Sequence, residues 1–588
     1  MNNQKIENLL NLSLNVTEEE REKSEALSIG FDESTKKWEI ILRHTLDLSR
    51  VLRDIPDISS YVELSGGYAT MWLSEKSINQ LADYEEVEFI EKPKGFYFAV
   101  DTGRSTSCLS LPQQEISRGG YGLTGRGIIF ACIDSGIDYT HPDFRNEDGT
   151  TRILAIWDQS DNRGNPPEGF VSGTEYTREQ IDQALQMPTR NEQLKLVPVT
   201  DDASGHGTAV AGIGAGNGLG SAGRKYRGVA YESELIVVKL GLAGQSDFPR
   251  TTQVMQGIEY VMKKALQFAK PVVINLSFGN NYGAHDGTSL LETYIDNMAS
   301  QWKSSIVVGS GNEGDTARHA QGTLAAGTQT VEEFSVGDYE KSISLQIWKQ
   351  YFDLMDIFLE APDGSRFFLN VRNQYILRYH IGKTDILVYS GEPTPYSIDQ
   401  EIFVELIPSG QQEFINGGIW KVVFMPSQII SGRYNLWLPS GIAAGRESRF
   451  LTPSLNTTLT IPSVAHKAIS VAAYNQNTLT ATSYSGRGFG AGGQLKPDIA
   501  APGQDIMTAA PGGGYARRTG TSMATPFVSG SAALLMQWGI VEGNSPYLYG
   551  EKLKAYLLSG ARPLQGIEQY PNPLIGYGTL CVGNSIPK

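Results

Sequence analysis

Cysteine is scarce in this sequence, basic residues are outnumbered, and no apolar run is long. Cys108, Cys132 and Cys581 are its three cysteines. An odd, scattered set fits neither a disulfide framework nor a zinc cluster, and reads as a chain made in a reducing cytoplasm. Lys and Arg number 49 against 64 acids, giving a formal charge of −15 and a pI near 5.1. That balance argues against nucleic acid or an anionic membrane as partner, since both attract basic patches. Runs such as GIIFACI at 127–133 are far too short to cross a bilayer. The opening MNNQKIENLLNLSLNVTEEEREK has no basic segment followed by an apolar core, so no secretory signal is expected.

What is present is length and texture. With 588 residues, 40% of them hydrophobic, the chain can form several cores, and two to four domains are expected. Over about 30–97, KKWEIILRHTL, DLSRVLRDI, SYVELSGGYATMWLS, EKSINQLADYEEV and VEFIEKP read in the order β-α-β-β-α-β, a small split α+β domain with Ser74 as a helix N-cap. From Gly127 to about Gly314, apolar runs (GIIFACIDSG, ELIVVKL, PVVINLSFG, SSIVVGSGNEG) alternate with helical stretches such as Thr252–Phe268. This is the pattern of an α/β fold with a parallel sheet flanked by helices, whose polar residues collect at the carboxyl ends of the strands. Between about Gly322 and Gly441 the pattern changes to short strands with turn signals, from SISLQIW to RYNLWLPSG, which reads as an antiparallel β-sandwich or jelly roll. AISVAAYN and KPDIAAPG then return to the α/β pattern, so the sandwich is an insertion.

Three motifs carry chemistry. Asp134 lies in IDSGIDYTHPDF, His206 in SGHGTAVAGIGAG and Ser522 in GTSMATP, where a helix of small and apolar residues begins. A serine hydroxyl is a poor nucleophile until a base takes its proton; an imidazole suits that task at neutral pH, and a carboxylate fixes its tautomer and stabilises the imidazolium. The chain order Asp, His, Ser is one of the known orders of this triad. Asn312, in VVGSGNEGD, supplies a side-chain amide able to donate to an oxyanion together with the backbone N–H of Ser522. His141, His44, His285, His319, His380 and His466 read as structural, Cys132 as a small core residue, and Asp201 and Asp202 as solvated or turn-forming.

Taken together, IDSGID, HPDF, GHGTAVAG, NLSFG, GNEG, APG and GTSMATP resemble the subtilisin-type serine peptidases, in that family's order. The resemblance implies a triad of Asp134, His206 and Ser522, an oxyanion hole completed by Asn312, and backbone edges for an extended substrate at Leu240, Gly241 and Leu242 and at Ser277, Phe278 and Gly279. It also implies a division into a propeptide and intramolecular chaperone at 1–103, a catalytic domain at 104–321 and 451–588, and the insertion at 322–450. No cofactor and no metal is expected; the family's calcium sites depend on loops such as AGNGLGSAGRKYRG, which leave that question open. The absent signal, the propeptide and the inserted sandwich resemble the Csp subtilases of clostridial spores. That group implies self-cleavage near 96–108, a propeptide that stays at the active site, and a protein substrate that is a proenzyme activated in germination. It also implies cytoplasmic synthesis followed by packaging in the spore. Related members that have lost triad residues act as signalling pseudoproteases. A propeptide-occluded binding protein and a general intracellular subtilisin are therefore the competing functions.

Overall fold

The computed structural model describes residues 5–6, 10, 13–14, 18, 30–32, 34–64, 67–91, 106–201, 203–241, 250–369, 376–390, 392–393, 397–441 and 444–587. The chain divides into two compact units, Met1–Tyr97 and Phe98–Lys588.

In the first unit a five-stranded antiparallel sheet is built around Lys37–His44, which pairs with Phe31–Asp32, Tyr68–Ser74 and Val87–Glu91. Lys37–His44 alternates buried and half-buried positions, as its sequence does. Trp38, Ile40 and Leu42 thereby meet Val51 and Leu81 of the helices Ser49–Asp54 and Glu75–Ala82 in one core.

The second unit is built on a nine-stranded sheet. Its parallel strands run in the order Ile469–Asn475, Ser304–Gly309, Val272–Leu276, Ile129–Asp134, Glu234–Lys239, Ile153–Asp158. Each of the three strands nearest the site (Ile129–Asp134, Val272–Leu276 and Ser304–Gly309) is buried along its whole length, because helices cover both faces. Phe130 and Cys132 point to the face packed by Val210 and Phe527, whereas Ile129, Ala131 and Ile133 point to the face packed by Ile258 and Ile295. Register then sets the site. Ile133 pairs with Leu276, and Leu276 with Val308, so Asp134, Ser277 and Gly309 finish their strands level with one another.

The segment after Asn312 forms two antiparallel sheets that share one core. A six-stranded sheet runs from His319–Thr323 to Ile376–Ile381, and a five-stranded one from Arg366–Phe368 to Arg449–Phe450. Ile347 and Val404 of the first face Ile357 and Trp420 of the second. Trp437 fastens the sandwich to the α/β layer: it stacks between His285 and His319, with ring centroids 4.3 and 4.8 Å away. Burial keeps both imidazoles neutral, pushing His319 down to about 4. The Gln346 side chain adds bonds to Gly283 N–H and to the Asn281 carbonyl.

One expectation is overturned. Cys108 and Cys581, 473 residues apart, form a disulfide, while Cys132 is free and buried. Spacing carries no sign of this pairing, because the two ends meet only once the second unit has folded: the Val582 N–H donates to the Ser107 carbonyl beside the bridge. Closing so long a loop restricts the unfolded chain, an effect worth about 2–5 kcal/mol. Cys108→Ser, Cys581→Ser and the double variant are expected to lower the unfolding midpoint equally, with no further loss on combining them. Calorimetry with and without reductant checks this.

Candidate active site

Asp134 ends the central strand Ile129–Asp134 and is almost fully buried. Its Oδ1 accepts the Ser135 N–H at 2.7 Å and lies 2.7 Å from His206 Nδ1. A carboxylate can only accept, so the imidazole proton sits on Nδ1 and the neutral ring presents Nε2 as an acceptor.

His206 opens the helix His206–Ala215. Two glycines allow it to sit there. Gly205 is left-handed at φ 65°, and a Cβ on it would lie 2.8 Å from the Arg518 guanidinium. A Cβ on Gly207 would lie 2.2 Å from the Gly136 carbonyl oxygen, so the helix could not approach the Asp134 loop. Asp201 holds the same junction. Its carboxylate accepts Ser135 Oγ–H at 2.7 Å and Thr208 N–H at 2.8 Å, while Ser135 Oγ accepts the Gly207 N–H. It is thus a buried anchor at a helix N-terminus rather than a solvated residue, while its carbonyl does form a turn by accepting the Gly205 N–H; the anchoring role is visible only through contacts made in space. Asp202 lies outside the described residues.

Burial opposes charging of His206, but the Asp134 carboxylate, its hydrogen bond and the charge of Asp201 outweigh it and raise the imidazole pKa. Arg518 pulls in the opposite direction.

Ser522 is the second residue of the buried helix Thr521–Met536, which Gly520 enters at φ 148°. Its Oγ donates to the Ser277 carbonyl at 2.9 Å, and Ser277 Oγ donates back to the Ser522 carbonyl at 3.2 Å. The hydroxyl is therefore turned to the end of the neighbouring strand, not to His206. Both residues nonetheless line one cleft of about 840 Å³, together with Phe278, Gly279 and Asn312. The orientation of Asn312 is fixed by chemistry. The Thr521 N–H can only donate and does so to Asn312 Oδ1 at 3.0 Å, joined by Thr521 Oγ at 3.2 Å. The Asn312 NH₂ has no partner among the described residues, and Asn312 lines the cleft. At the helix start, Thr521 N–H is taken by Asn312 and Met523 N–H by the Gly520 carbonyl, while Ser522 N–H has no partner among the described residues.

The other edge differs. Leu240 N–H is bonded to the Asp134 carbonyl and the Gly241 carbonyl to Gln253, and neither residue lines the cleft. Leu242 falls outside the described residues, as does most of the 96–108 stretch. Thr460, unmarked by any motif, fills the space between Gly279 and Gly311, where a Cβ on either glycine would come within 2.5 Å of its side chain. His141 is fully buried, with Nδ1 accepting the Asp143 N–H and Nε2 donating to the Gly514 carbonyl, a structural role.

A sequence profile of the subtilase family matches residues 125–414 and 441–578, more than half of the chain. The chain belongs to the subtilase family. A second profile, the Csp protease B prodomain, matches residues 4–94 of this subtilase. Among solved structures, the CspB protease of Clostridium perfringens is similar at 35% identity and a TM-score of 0.74, over 83% of this chain and 97% of that one. The subtilase also resembles the minor extracellular protease Vpr of Bacillus subtilis, at 24% identity over 79% of this chain and 52% of that protein. The PII-type proteinase of Lactococcus lactis subsp. cremoris is 23% identical over 75% of this chain and 24% of its own. The subtilase thus spans about half the length, or less, of these curated relatives.

Proposed function

We propose that this subtilase is a serine endopeptidase in which Ser522 is the nucleophile, His206 the general base, Asp134 the orienting carboxylate and Asn312 an oxyanion donor. The observation that carries the proposal is the 2.7 Å contact from His206 Nδ1 to Asp134, in a ring whose Nε2 is left to accept a proton in the cleft that Ser522 also lines.

The chemistry follows from the donors available. Rotation about the Ser522 Cα–Cβ bond, from one staggered position to another, carries Oγ from the Ser277 carbonyl toward His206. The Ser277 carbonyl is then free to accept an N–H of an extended peptide. As Oγ attacks the peptide carbonyl its proton passes to Nε2, and the growing negative charge on the carbonyl oxygen is met by the Asn312 amide and the Ser522 N–H. The imidazolium, stabilised by Asp134, hands that proton to the leaving amine. Water then repeats the sequence and releases the acid.

The Csp protease B prodomain match and the likeness to the CspB protease support a finer reading: the chain cuts itself near 96–108, keeps its propeptide at the active site, and activates a precursor protein, a proenzyme, in spore germination after cytoplasmic synthesis. N-terminal sequencing of the purified chain tests the first step. Wild type is expected to give a new N-terminus within 96–108 and Ser522→Ala a single uncut chain; an uncut wild type would contradict it. The resting contact of Ser522 with Ser277 favours the rival reading, a propeptide-occluded binding or signalling protein, only if the hydroxyl never leaves it.

A further inference from the structure

The cleft around Ser522 carries a charge opposite to that of the chain. Four arginines line it, Arg318, Arg446, Arg449 and Arg518, against two acids, Glu313 and Asp315, although acids outnumber bases in the sequence. The acids are occupied: Glu313 accepts Thr316 Oγ–H at 2.6 Å and the Gly441 N–H, and Asp315 accepts Ser483 Oγ–H at 2.6 Å. Arg318 is occupied too. It is buried, and its guanidinium donates to the carbonyls of Ser448, Ala444 and Gly445.

Those bonds hold the sandwich segment 444–449 against the stretch that follows Asn312. Glu340 secures the same segment by accepting Gly445 N–H at 2.7 Å and Ser448 Oγ–H at 2.5 Å. Arg446 and Arg449 are thereby presented, exposed, on the cleft wall, and neither has a carboxylate partner among the described residues. Arg518 stands beside the loop that leads into His206. One of its nitrogens donates to the Ser204 carbonyl at 3.0 Å, two residues before His206, and it too has no carboxylate partner among the described residues. Since His206 must protonate the departing amine, the wall beside it receives the residues that follow the scissile bond.

We propose that the cleft takes an acidic peptide, with Arg518 meeting carboxylates after the scissile bond and Arg446 and Arg449, supplied by the inserted sandwich, meeting those on the opposite wall. This rests on the peptidase reading and adds a substrate class to it. A cleft lined by four arginines against two carboxylates carries an excess of positive charge, which concentrates ligands of the other sign, most strongly at low salt. The arginine fork also suits a carboxylate geometrically. On this account the insertion acts in selection, and Arg318 is a positioning residue for its two arginines.

The test is a peptide library digested by the full chain, with cleavage sites read by mass spectrometry. Asp and Glu are expected to be enriched over Asn and Gln about threefold to fivefold near the cut, the scale of single ion pairs partly open to water. The enrichment is expected to fall as salt rises from about 0.05 to 0.5 M. Arg518→Glu is expected to invert the preference toward Lys and Arg after the cut, and the Arg446→Glu, Arg449→Glu pair to invert it on the other side. Fluorophosphonate labelling of Ser522 confirms that each variant is folded. Cleavage and labelling without acid enrichment in wild type, or with enrichment unchanged in the labelled variants, would overturn the acidic preference alone. If wild type neither labels nor cleaves, the peptidase reading fails, and this inference with it.

Discussion

Ser522→Ala is expected to lower kcat for peptide hydrolysis by about 10⁶, the scale measured for loss of the nucleophile in subtilisin itself. Alanine keeps the helix and the Asn312 contact with Thr521 but leaves nothing for His206 to deprotonate. The residual rate would come from the oxyanion donors and from binding. In the fold the Ser522 hydroxyl gives up one hydrogen bond, to the Ser277 carbonyl, a change of about 0.5–1.5 kcal/mol. Activity and stability therefore separate: hydrolysis and self-cleavage disappear while the unfolding midpoint hardly moves. Steady-state kinetics alongside calorimetry checks both, and a variant retaining a tenth of wild-type activity would place the nucleophile elsewhere.

Asp134→Asn is expected to cost about 10⁴ in kcat, as removal of this charge does in other enzymes built on the same triad. The amide can still occupy the space between Ser135 and His206, but it no longer supplies the negative charge that the imidazolium needs. The buried Oδ2 position has no hydrogen-bond partner among the described residues, so an NH₂ placed there would be unsatisfied as well. The pH profile carries a second signature. His206 acts as a base only when neutral, and its pKa is raised, with Asp134 and Asp201 prevailing over burial. The wild-type rate should therefore fall with decreasing pH through a midpoint above the ordinary histidine value. In Asp134→Asn burial is opposed by less charge, and the midpoint moves to lower pH. A midpoint that stays in place would detach Asp134 from His206.

Legibility in the sequence followed distance along the chain. Asp134, His206, Ser522 and Asn312 each stand in a short stretch rich in glycine and small residues, some required by the local backbone, as at left-handed Gly205, and some by an approach to another such stretch, as at Gly207 against Gly136. The apolar runs of the parallel sheet were legible for a similar reason, since strands buried on both faces have no room for alternation. What depended on remote partners was hidden. Asp201 looked solvated because Ser135 and Thr208, which bury it, are brought to it by the fold. Cys108 gave no sign of Cys581. In the sandwich, Thr330–Val336 is hard to read as a strand: its two glutamates and scattered apolar residues make a weak signal, and pairing with Gly418–Gln428 and Arg449–Phe450 defines it. The arginine wall follows from that pairing and from Arg318, neither visible in any motif. Nor could sequence have placed the Ser522 hydroxyl on the Ser277 carbonyl.

The pairing of Ser522 with His206 is tested most directly by treating the full chain with a fluorophosphonate, which reacts only with an activated serine, and locating the adduct by mass spectrometry. One adduct, on Ser522, absent from His206→Ala, is the expected result. An unlabelled wild-type chain, or equal labelling of Ser522 without the imidazole, would show that the hydroxyl and the base do not act together.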